Sequence, residues 1–524
     1  MDIVTQKPYS AKRVVHWKKF SIRRRKTLKA EFLPKPQFLP SHAQTLIPDL
    51  LTLVFHQCME LEFVWGLPRP SRNAAPLKLG MVCRSWRQVA LSTSKLWASI
   101  QITSQCSPSV LRQWLDRSRS SPLSIRWIFH EEVHDLCEIA AIVSAHSYHW
   151  KNVTLRIPGS CLKKVLAPLS RAQGTVGAPM LEMLSVTLPG GGSFWTNGVT
   201  DPATLDIRNA PQLKVLSLGG TKLPVTMGDS THSTIRELRS SMWYIPGRGP
   251  FSSDMWLSIL SRCPNVTTVH ANIDSMSFLP FRCDILELPI EDFSVALSEG
   301  LSHRILDTLL DKLRLSDLSR LALEVNSPRL SLPSWPYLMK FIKQSQRPLL
   351  SLSLRGIPIS EHHLLECLSM TTELEILELS NMNITDEFLD RFRHFGDEPC
   401  SRPTLCRRLQ SIKLECSLVH FTMPVVTDMV VTRWYIGNKV LRRIELDYCG
   451  LTEGCCGPEI FDCVRDGLHL SIRHFLFDHD IGLLKPHIII DFSPLVVSVL
   501  QKCYSLQRRV TICTITVAYD SEFQ

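Results

Sequence analysis

The sequence predicts an α/β protein in which a small helical unit precedes a long array of short strands that wind into a solenoid. Three observations lead to this prediction: a leucine pattern that recurs over most of the chain, two apolar helical segments near the N-terminus, and a basic segment ahead of them. The chain has 524 residues, 44% of them hydrophobic, which suits about two to four ordinary domains or one long repeat array.

The first 40 residues form a basic tail that we expect to be flexible. Its first 37 residues carry 11 Lys or Arg against Asp2 and Glu31, which accounts for +9 of the net charge of +10. The rest of the chain is close to neutral, which argues against a nucleic-acid-binding body, because such a body needs a basic face. The run from Arg23 to Lys26 matches either a nuclear import signal or a solvated basic tail.

Residues 41–105 contain two apolar segments with helical spacing. The first has its apolar residues on adjacent turns after Pro48, where a helix start tolerates proline; they are Leu50, Leu51, Val54 and Phe55. The second, LKLGMVCRSWRQVALSTSKLW from Leu77 to Trp97, has apolar residues that would share one helix face; they are Leu79, Val82, Cys83, Trp86, Val89 and Ala90.

The stretch 59–76 between these segments is rich in Pro, Gly and Asn, and predicts a loop. Capping residues at 92–94 predict one more short turn, which would hold Leu96, Trp97 and Ile100. The unit has more apolar residues than three short helices can bury among themselves, and this favours a surface that binds a partner.

From residue 106 onward the pattern L-x-x-L-x-L recurs, with Ile tolerated at its middle apolar position. The copies are LEMLSVTL (Leu181), LKVLSL (Leu213), LSRLALEV (Leu318), LLSLSL (Leu349), LEILEL (Leu374), LQSIKL (Leu409) and LRRIEL (Leu441). Their starts lie 32, 105, 31, 25, 35 and 32 residues apart, and IRELRS (Ile235) and VTTVHA (Val266) are weaker copies in the long gap. VTLRI at Val153 predicts an earlier strand.

This spacing is typical of an irregular leucine-rich-repeat solenoid, a horseshoe spanning residues 106–524. Alternate apolar residues of each strand would point into the core, and a helix such as TDEFLDRFRHF would return the chain to the next strand. In LRRIELDYCGLT, Cys449 lies three positions after Leu446, as in the cysteine-containing repeat type. The alternative is a series of unrelated buried strands.

The segments IPDLLTLVF and LGMVCRSWRQVA together resemble the F-box motif. The second half, with Val82, Cys83, Arg84, Trp86 and Arg87, matches almost letter for letter, whereas Ile47 replaces the leucine that usually opens the first half. The following segments ALSTSKLW and LRQWLDRSRSSPLSIRW resemble the F-box-like proteins abundant in mushroom-forming fungi. The resemblance spans about residues 41–455 and is strongest at 77–127.

The resemblance implies a non-enzymatic substrate receptor of an SCF-type cullin–RING ubiquitin ligase. The F-box would bind a Skp-type adaptor, and through it the cullin, with a set of residues of which some must instead form the unit's own core; the set is Pro48, Leu50, Leu51, Val54, Phe55, Val82, Cys83, Trp86, Val89, Leu96 and Trp97. The repeat domain would hold an unknown target protein. The alternative is a repeat scaffold that does not join a ligase.

The concave surface of such a solenoid is lined by the polar residues between the strand leucines. As candidates for target binding the sequence offers Glu375, Glu378, Lys413, Arg442 and Glu445. Charges at these positions are equally compatible with a merely solvated face.

Other motifs predict neither a catalytic site nor a metal or cofactor site. His130 to His134 match the zinc motif H-E-x-x-H, but they follow a predicted strand, and Cys137 and Ala140 stand where longer metalloprotease motifs need Gly and His. Cys449, Cys455, Cys456 and Cys463 fit no common zinc module. The glycine run at 190–192 lacks the lysine of a phosphate-binding loop, so we expect a turn there.

The cysteines and the hydropathy of the sequence indicate the cellular compartment in which we expect the protein. The 17 cysteines include no C-x-x-C pair and often lie in apolar runs, as expected of reduced, buried thiols. The N-terminus lacks the apolar core of a signal peptide, and the apolar stretch HIIIDFSPLVVSVLQKC is interrupted and too short to span a membrane. We therefore expect a cytoplasmic or nuclear protein without a membrane segment.

Overall fold

The computed structural model describes most of the chain between residues 46 and 491. The described ranges are 46–62, 66–71, 74–103, 105–129, 136–170, 177–188, 205–220, 225–227, 231–240, 252–273, 284–298, 303–325, 335–393, 405–415, 422–437, 439–447, 458–477 and 484–491. The chain divides into two compact units, Met1–Ile47 and Pro48–Gln524, and every helix and strand given below belongs to the second. The predicted basic tail at 1–40 lies outside the described residues.

The described part is a mixed α/β structure with twelve helices, several of them lying between successive strands of one large sheet. The helices are α1 Pro48–Glu62, α2 Arg84–Ser92, α3 Pro108–Ser118, α4 Leu136–Ala145, α5 Gly159–Leu166, α6 Ser253–Leu260, α7 His303–Asp311, α8 Tyr337–Gln344, α9 Glu361–Met370, α10 Asp386–Arg393, α11 Met423–Tyr435 and α12 Pro458–Arg465.

Nineteen strands accompany these helices in the same ranges. They are β1 Ser99–Ile102, β2 Leu123–Ile128, β3 Trp150–Arg156, β4 Met183–Leu188, β5 Leu205–Asp206, β6 Val215–Gly220, β7 Val225–Thr226, β8 Glu237–Ser240, β9 Thr268–Ile273, β10 Leu286–Leu288, β11 Asp292–Leu297, β12 Leu313–Leu315, β13 Arg320–Val325, β14 Ser351–Arg355, β15 Ile376–Ser380, β16 Ser411–Glu415, β17 Arg443–Asp447, β18 His469–Phe477 and β19 Leu484–Asp491.

Fifteen of the strands form the large sheet, in the order β1-β2-β3-β4-β6-β8-β9-β11-β13-β14-β15-β16-β17-β18-β19. Neighbours in this sheet follow one another along the chain apart from the short strands, which pair separately as β5–β7 and β10–β12. All pairs are parallel except the last, β18–β19. Within the described residues β1 and β19 are the two ends, so the sheet is not a closed barrel.

The core lies on one face of the sheet, because alternate strand residues point to opposite faces. Leu377 and Leu379 of β15 are fully buried, whereas Glu378 between them is half-exposed. The register aligns Leu377 with Leu352 of β14 and Ile412 of β16, and this buried row continues across the neighbouring strands. One face of the sheet is therefore apolar and covered, and the other is polar.

All nine leucine-pattern segments form strands in this sheet, as the sequence predicted. Each strand begins two residues after the first apolar residue of its copy, as β15 begins at Ile376 after Leu374. That first residue is itself buried, so it packs in the bend where the chain enters the strand. The predicted strands at Val153 and at the Leu123 segment are also confirmed, as β3 and β2.

Four strands of the large sheet were not predicted as strands: β1, β11, β18 and β19. Strand β11 follows the same spacing with Ile290, Phe293 and Val295 in place of the three leucines. All three side chains are buried, because any large apolar residue satisfies the core at these positions. A pattern that expects Leu or Ile at the middle apolar position does not include Phe293, so it missed this strand. Of the strands in the large sheet, β8, β9 and β11 lie in the 105-residue gap.

The second helical segment is broken into two pieces, which corrects the prediction of one shared face. A short 3₁₀ turn covers Leu79–Met81, and α2 begins only at Arg84. Cys83 between them is extended, with φ −156° and ψ 177°. Val82 therefore lies outside α2, and its side chain does not continue the face of Val89.

Two further boundaries differ from the prediction. Helix α1 runs to Glu62 and so extends into the predicted loop at 59–76. The predicted last turn ends at Trp97, and Ile100 lies in β1, where it pairs with Ile125 of β2. The predicted helical segment 41–105 thus contains the first strand of the sheet, because Ile100 and Ile102 are buried when alternating along a strand.

Candidate functional site

Helices α1 and α2 form the part of the protein to which the sequence assigned partner binding. Leu51 and Phe55, one helical turn apart on α1, are fully buried. The ring of Phe55 contacts the half-buried Trp86 of α2 edge to face, with 5.1 Å between centroids. This aromatic pair fixes the two helices against each other.

The start of α2 is set by Cys83 and Arg87. The Cys83 sulfur accepts a hydrogen bond from the backbone N–H of Trp86 at 3.5 Å, so the cysteine caps the helix in the way that serine or threonine commonly does. The Nε of Arg87 donates to the carbonyl oxygen of Gly80 at 3.0 Å, which ties the helix to the preceding 3₁₀ turn. Cys83 and Arg87 of the Val-Cys-Arg-x-Trp-Arg segment are therefore structural within the unit.

Several large apolar side chains of this region remain exposed. Leu53 is 65% exposed, Leu50 47% and Val54 39%, and their spacing of three and four residues puts them on one side of α1. Met81 and Val82, in the turn before α2, are 70% and 56% exposed. We call these five residues the apolar docking face.

The structure separates the predicted adaptor-binding residues into a core group and an exposed group. The buried ones are Leu51, Phe55, Val89, Leu96 and Trp97; the half-buried ones are Cys83 and Trp86; the exposed ones are Pro48, Leu50, Val54 and Val82. Leu53 and Met81 belong to the apolar docking face but were not among the predicted residues. Their signal was present in the sequence, since Leu53 lies three positions after Leu50.

The helical unit continues into the sheet without a gap in packing. The indole Nε1 of Trp97 donates to the carbonyl oxygen of Ala90 in α2 at 2.8 Å. The same ring contacts Trp114 of α3, with centroids 4.8 Å apart, and carries the Arg117 guanidinium 4.6 Å above it. Trp97 thus joins α2, α3 and the chain entering β1 in one core, which fixes the apolar docking face relative to the first strands.

The predicted target-binding residues divide between the polar sheet face and the loops. Glu378, Lys413 and Glu445 are aligned on neighbouring strands β15, β16 and β17. Glu375 and Arg442 instead lie one residue before their strands and are not brought into this row. Lys413 is half-exposed, whereas Glu445 is buried and accepts a hydrogen bond from Arg443.

A second polar row lies two residues further along each strand and was not predicted. It comprises Glu324 of β13, Arg355 of β14, Ser380 of β15, Glu415 of β16 and Asp447 of β17. The two-residue period of a strand would have predicted this second row, because each of its residues directly follows the third apolar residue of its L-x-x-L-x-L copy.

Charged groups form ion pairs across the strands, both within the second row and between the two rows. The Arg355 guanidinium lies 2.8 Å from Glu415 Oε1 and 3.8 Å from Glu324 Oε1. The Lys413 ammonium lies 3.4 Å from Asp447 Oδ2, and Ser353 donates to Glu378 at 3.0 Å. These contacts give the polar face of β13–β17 a defined arrangement of charged groups, which is what a recognition surface requires.

The other motifs give no candidate site in the part of the chain that the structure describes. The residues of the H-E-x-x-H match, the glycine run at 190–192, and Cys449, Cys455 and Cys456 lie outside it, while Cys463 is buried in α12. Among the described residues no three His, Cys, Asp or Glu side chains are grouped as metal ligands would be. No described helix combines the length and apolar character needed to cross a membrane.

No protein-family model matches this chain. No curated protein matches its sequence either.

Proposed function

We propose that this protein is the substrate-recognition subunit of an SCF-type cullin–RING ubiquitin ligase. The apolar docking face of α1 and of the turn before α2 would bind a Skp-type adaptor, and the polar face of the sheet would hold a target protein. The chain itself would perform no chemistry, acting instead by keeping the target at high effective concentration near the charged conjugating enzyme.

The observation that carries the proposal is the exposure of apolar side chains at positions where the F-box resemblance expects adaptor contacts. Leu50, Val54 and Val82 are exposed, although their neighbours Leu51 and Phe55 are buried. Each large aliphatic side chain that a partner covers contributes about 1 to 2 kcal/mol to binding. The half-buried Trp86 beside this face is the kind of residue that dominates interface energetics.

The arrangement of the sheet supports the second half of the proposal. Strands that follow one another in chain order, in parallel and in one register, are what a leucine-rich-repeat solenoid requires. Such a solenoid exposes a continuous polar face, and here that face carries the charged rows of β13–β17. The contact between Trp97 and Trp114, which we call the tryptophan seam, supports a fixed spacing between adaptor and target.

The alternative function is a repeat scaffold that does not join a ligase. It shares the sheet and its polar face with the first proposal and differs in leaving the apolar docking face without an adaptor. Adaptor binding by the full chain therefore separates the two.

The test uses the full-length chain co-expressed with a Skp-type adaptor. We expect the wild-type chain to form a stable complex. Leu50→Asp and Val82→Asp should each lower the affinity by about tenfold or more, because each puts a charge at the interface. The matched control is Ile436→Asp, which changes an equally exposed apolar residue after α11. Thermal melting of every variant checks that the fold is intact.

Two outcomes contradict the proposal. If the folded wild-type chain binds no adaptor, the scaffold alternative replaces it. If Leu50→Asp, Val82→Asp and Ile436→Asp all bind as well as wild type, the adaptor binds somewhere other than the apolar docking face.

A further inference from the structure

A buried histidine lies in the 3₁₀ turn Ser147–His149, which connects α4 to β3. The His149 side chain is 1% exposed, and neither of its ring nitrogens has a hydrogen-bond partner among the described residues. Its ring centroid is 5.4 Å from that of His146 and 4.2 Å from that of Tyr148. The side chain is therefore packed as an apolar aromatic ring and not as a paired polar group.

The surroundings of His149 oppose its protonation. The pKa of His149 is lowered to about 4; burial is the larger cause, and the neighbouring His146 contributes to the same shift. Burial also lowers the pKa of His146, although Asp116 at the end of α3 opposes this shift. Among the described residues, Asp116 acts on His146 and so favours charge on that ring rather than on His149.

The same turn is joined to the end of α3. The hydroxyl of Tyr148 donates to the carbonyl oxygen of Arg119 at 3.4 Å, and Arg119 terminates α3 with a positive φ of 52°. Helix α3 also carries Trp114, which contacts Trp97 of the helical unit. The turn thus braces the helix that links the apolar docking face to the sheet.

We infer that the turn Ser147–His149 is an acid-sensitive latch, which holds the end of α3 beside β3 while His149 is neutral and opens when His149 takes up a proton. A charged imidazole without an acceptor is strongly disfavoured in a buried site, so the ring must leave the core to be protonated. Its departure would move Tyr148 and break the contact with Arg119. This inference does not depend on adaptor binding.

The sign of the pH dependence follows from the lowered pKa. The neutral ring is favoured in the closed state, so the latch is fully stable above the ordinary histidine pKa of about 6.5 and loses stability as the pH falls towards 4. With an opened-state pKa of about 6.5 and a closed-state pKa of about 4, the opening equilibrium rises about tenfold between neutral pH and pH 5.5.

The experiment is hydrogen exchange of the full chain between pH 7.5 and pH 4.5, corrected for intrinsic exchange rates and read for peptides covering 114–120 and 146–152. We expect the wild type to lose protection there by about tenfold at pH 5.5. His149→Phe, which keeps the packed ring but cannot titrate, is expected to retain it. The matched control is His362→Phe, which changes an exposed histidine of α9 and is expected to behave as wild type.

Equal acid profiles for wild type and His149→Phe would overturn the inference. If His149→Phe does not fold at pH 7.5, His149→Gln takes its place as a neutral polar variant. Should both fail to fold, carbon-13 titration of the histidines in the wild-type chain decides the matter: a His149 midpoint well below 6.5 supports the latch, and a midpoint near 6.5 refutes it.

Discussion

The indole of Trp97 contacts the indole of Trp114 edge to face, at 4.8 Å between centroids and 73° between planes. Both rings are almost completely buried, and the first belongs to the helical unit whereas the second belongs to α3. This contact makes the two predicted domains one continuous packed structure at their junction. The consequence is that a change at Trp97 acts on both parts together.

We predict that Trp97→Ala lowers the free energy of unfolding by about 4 kcal/mol, since it leaves a large cavity and removes the bond to Ala90. Trp97→Phe is expected to cost less, because much of the ring volume remains. Urea denaturation followed by circular dichroism measures both. Tyr435→Ala changes an exposed aromatic residue at the end of α11, serves as the control and should change stability little. Equal losses in all three variants would contradict the role given to the contact between Trp97 and Trp114.

Acidic residues at the start of one helix hold the start of the next. Asp386, the first residue of α10, accepts hydrogen bonds from the backbone N–H and the hydroxyl of Thr422, which precedes α11. Glu361 of α9 binds Thr385, before α10, in the same way. Successive helices are thus coupled pairwise along the array.

We predict that Asp386→Ala lowers the free energy of unfolding by about 1 kcal/mol, because two hydrogen bonds to the next helix are lost. Glu387→Ala is the matched control, since Glu387 is in the same first helical turn but is exposed. Both lose a negative charge near the helix N-terminus, so their difference isolates the contact with Thr422. Equal midpoints of urea denaturation in the two variants would disprove the coupling.

A buried guanidinium of α11 binds two separate backbone segments, one at the end of α10 and one before β16. Arg433 is 2% exposed and donates to the carbonyl oxygens of Phe392, Cys406 and Leu405, at 2.7, 3.0 and 2.5 Å. Burial lowers its pKa to about 10, so it remains charged at neutral pH. Its fork of donors lets one side chain form hydrogen bonds to three buried carbonyl groups at once.

Arg433→Met is expected to lower the free energy of unfolding by about 3 kcal/mol, because a side chain of similar size removes charged hydrogen bonds to three carbonyl groups. Arg433→Lys should recover only part of this loss, since one ammonium cannot reach three diverging acceptors. Thermal and urea unfolding of the two variants check this. Wild-type stability in Arg433→Met would show that the guanidinium contacts contribute nothing.

Thiol reactivity follows burial. Among the nine described cysteines, Cys137 on α4 is exposed and six are buried. Burial raises the pKa of Cys263 and of Cys367 to about 12, and the thiolate is the reactive species. We predict that N-ethylmaleimide labels Cys137 at pH 7.5 well before Cys263 and Cys367, as measured by peptide mass spectrometry. In urea the three should react at similar rates, and equal rates in the native protein would contradict the burial.

The strand pattern was readable from the sequence, because it depends on local side-chain alternation. Leu377 and Leu379 must point to one side of an extended chain and Glu378 to the other, whatever the neighbouring strands are. The buried leucine ahead of each strand made the pattern distinctive. Strand β11 was not predicted, because Phe293 and Val295 fill the core positions that leucine fills in the other strands. Core packing depends on the volume of an apolar side chain more than on its residue type.

The candidate docking site was only partly predictable. Helical spacing located Leu50, Leu51, Val54 and Phe55 on α1 but could not decide which pair faces the core, since adjacent residues on a helix form two apolar stripes. The contact of Phe55 with Trp86 decides this by burying one stripe and exposing the other. The break of the second helical segment at Cys83 was also not predicted, because the sulfur caps α2 only when the backbone N–H of Trp86 lies within hydrogen-bond distance of it.

The sequence by itself determined the α/β class, the positions of most strands and the presence of apolar helices before them, because alternation and helical periodicity are properties of single segments. The tertiary structure alone decided which residues are core and which are surface, and which charges meet. Arg355 and Glu415 are 60 residues apart along the chain and 2.8 Å apart in space. Such contacts depend on strand register, which no local pattern specifies, so the polar face, the tryptophan seam and the buried His149 emerge only when the strands pack together.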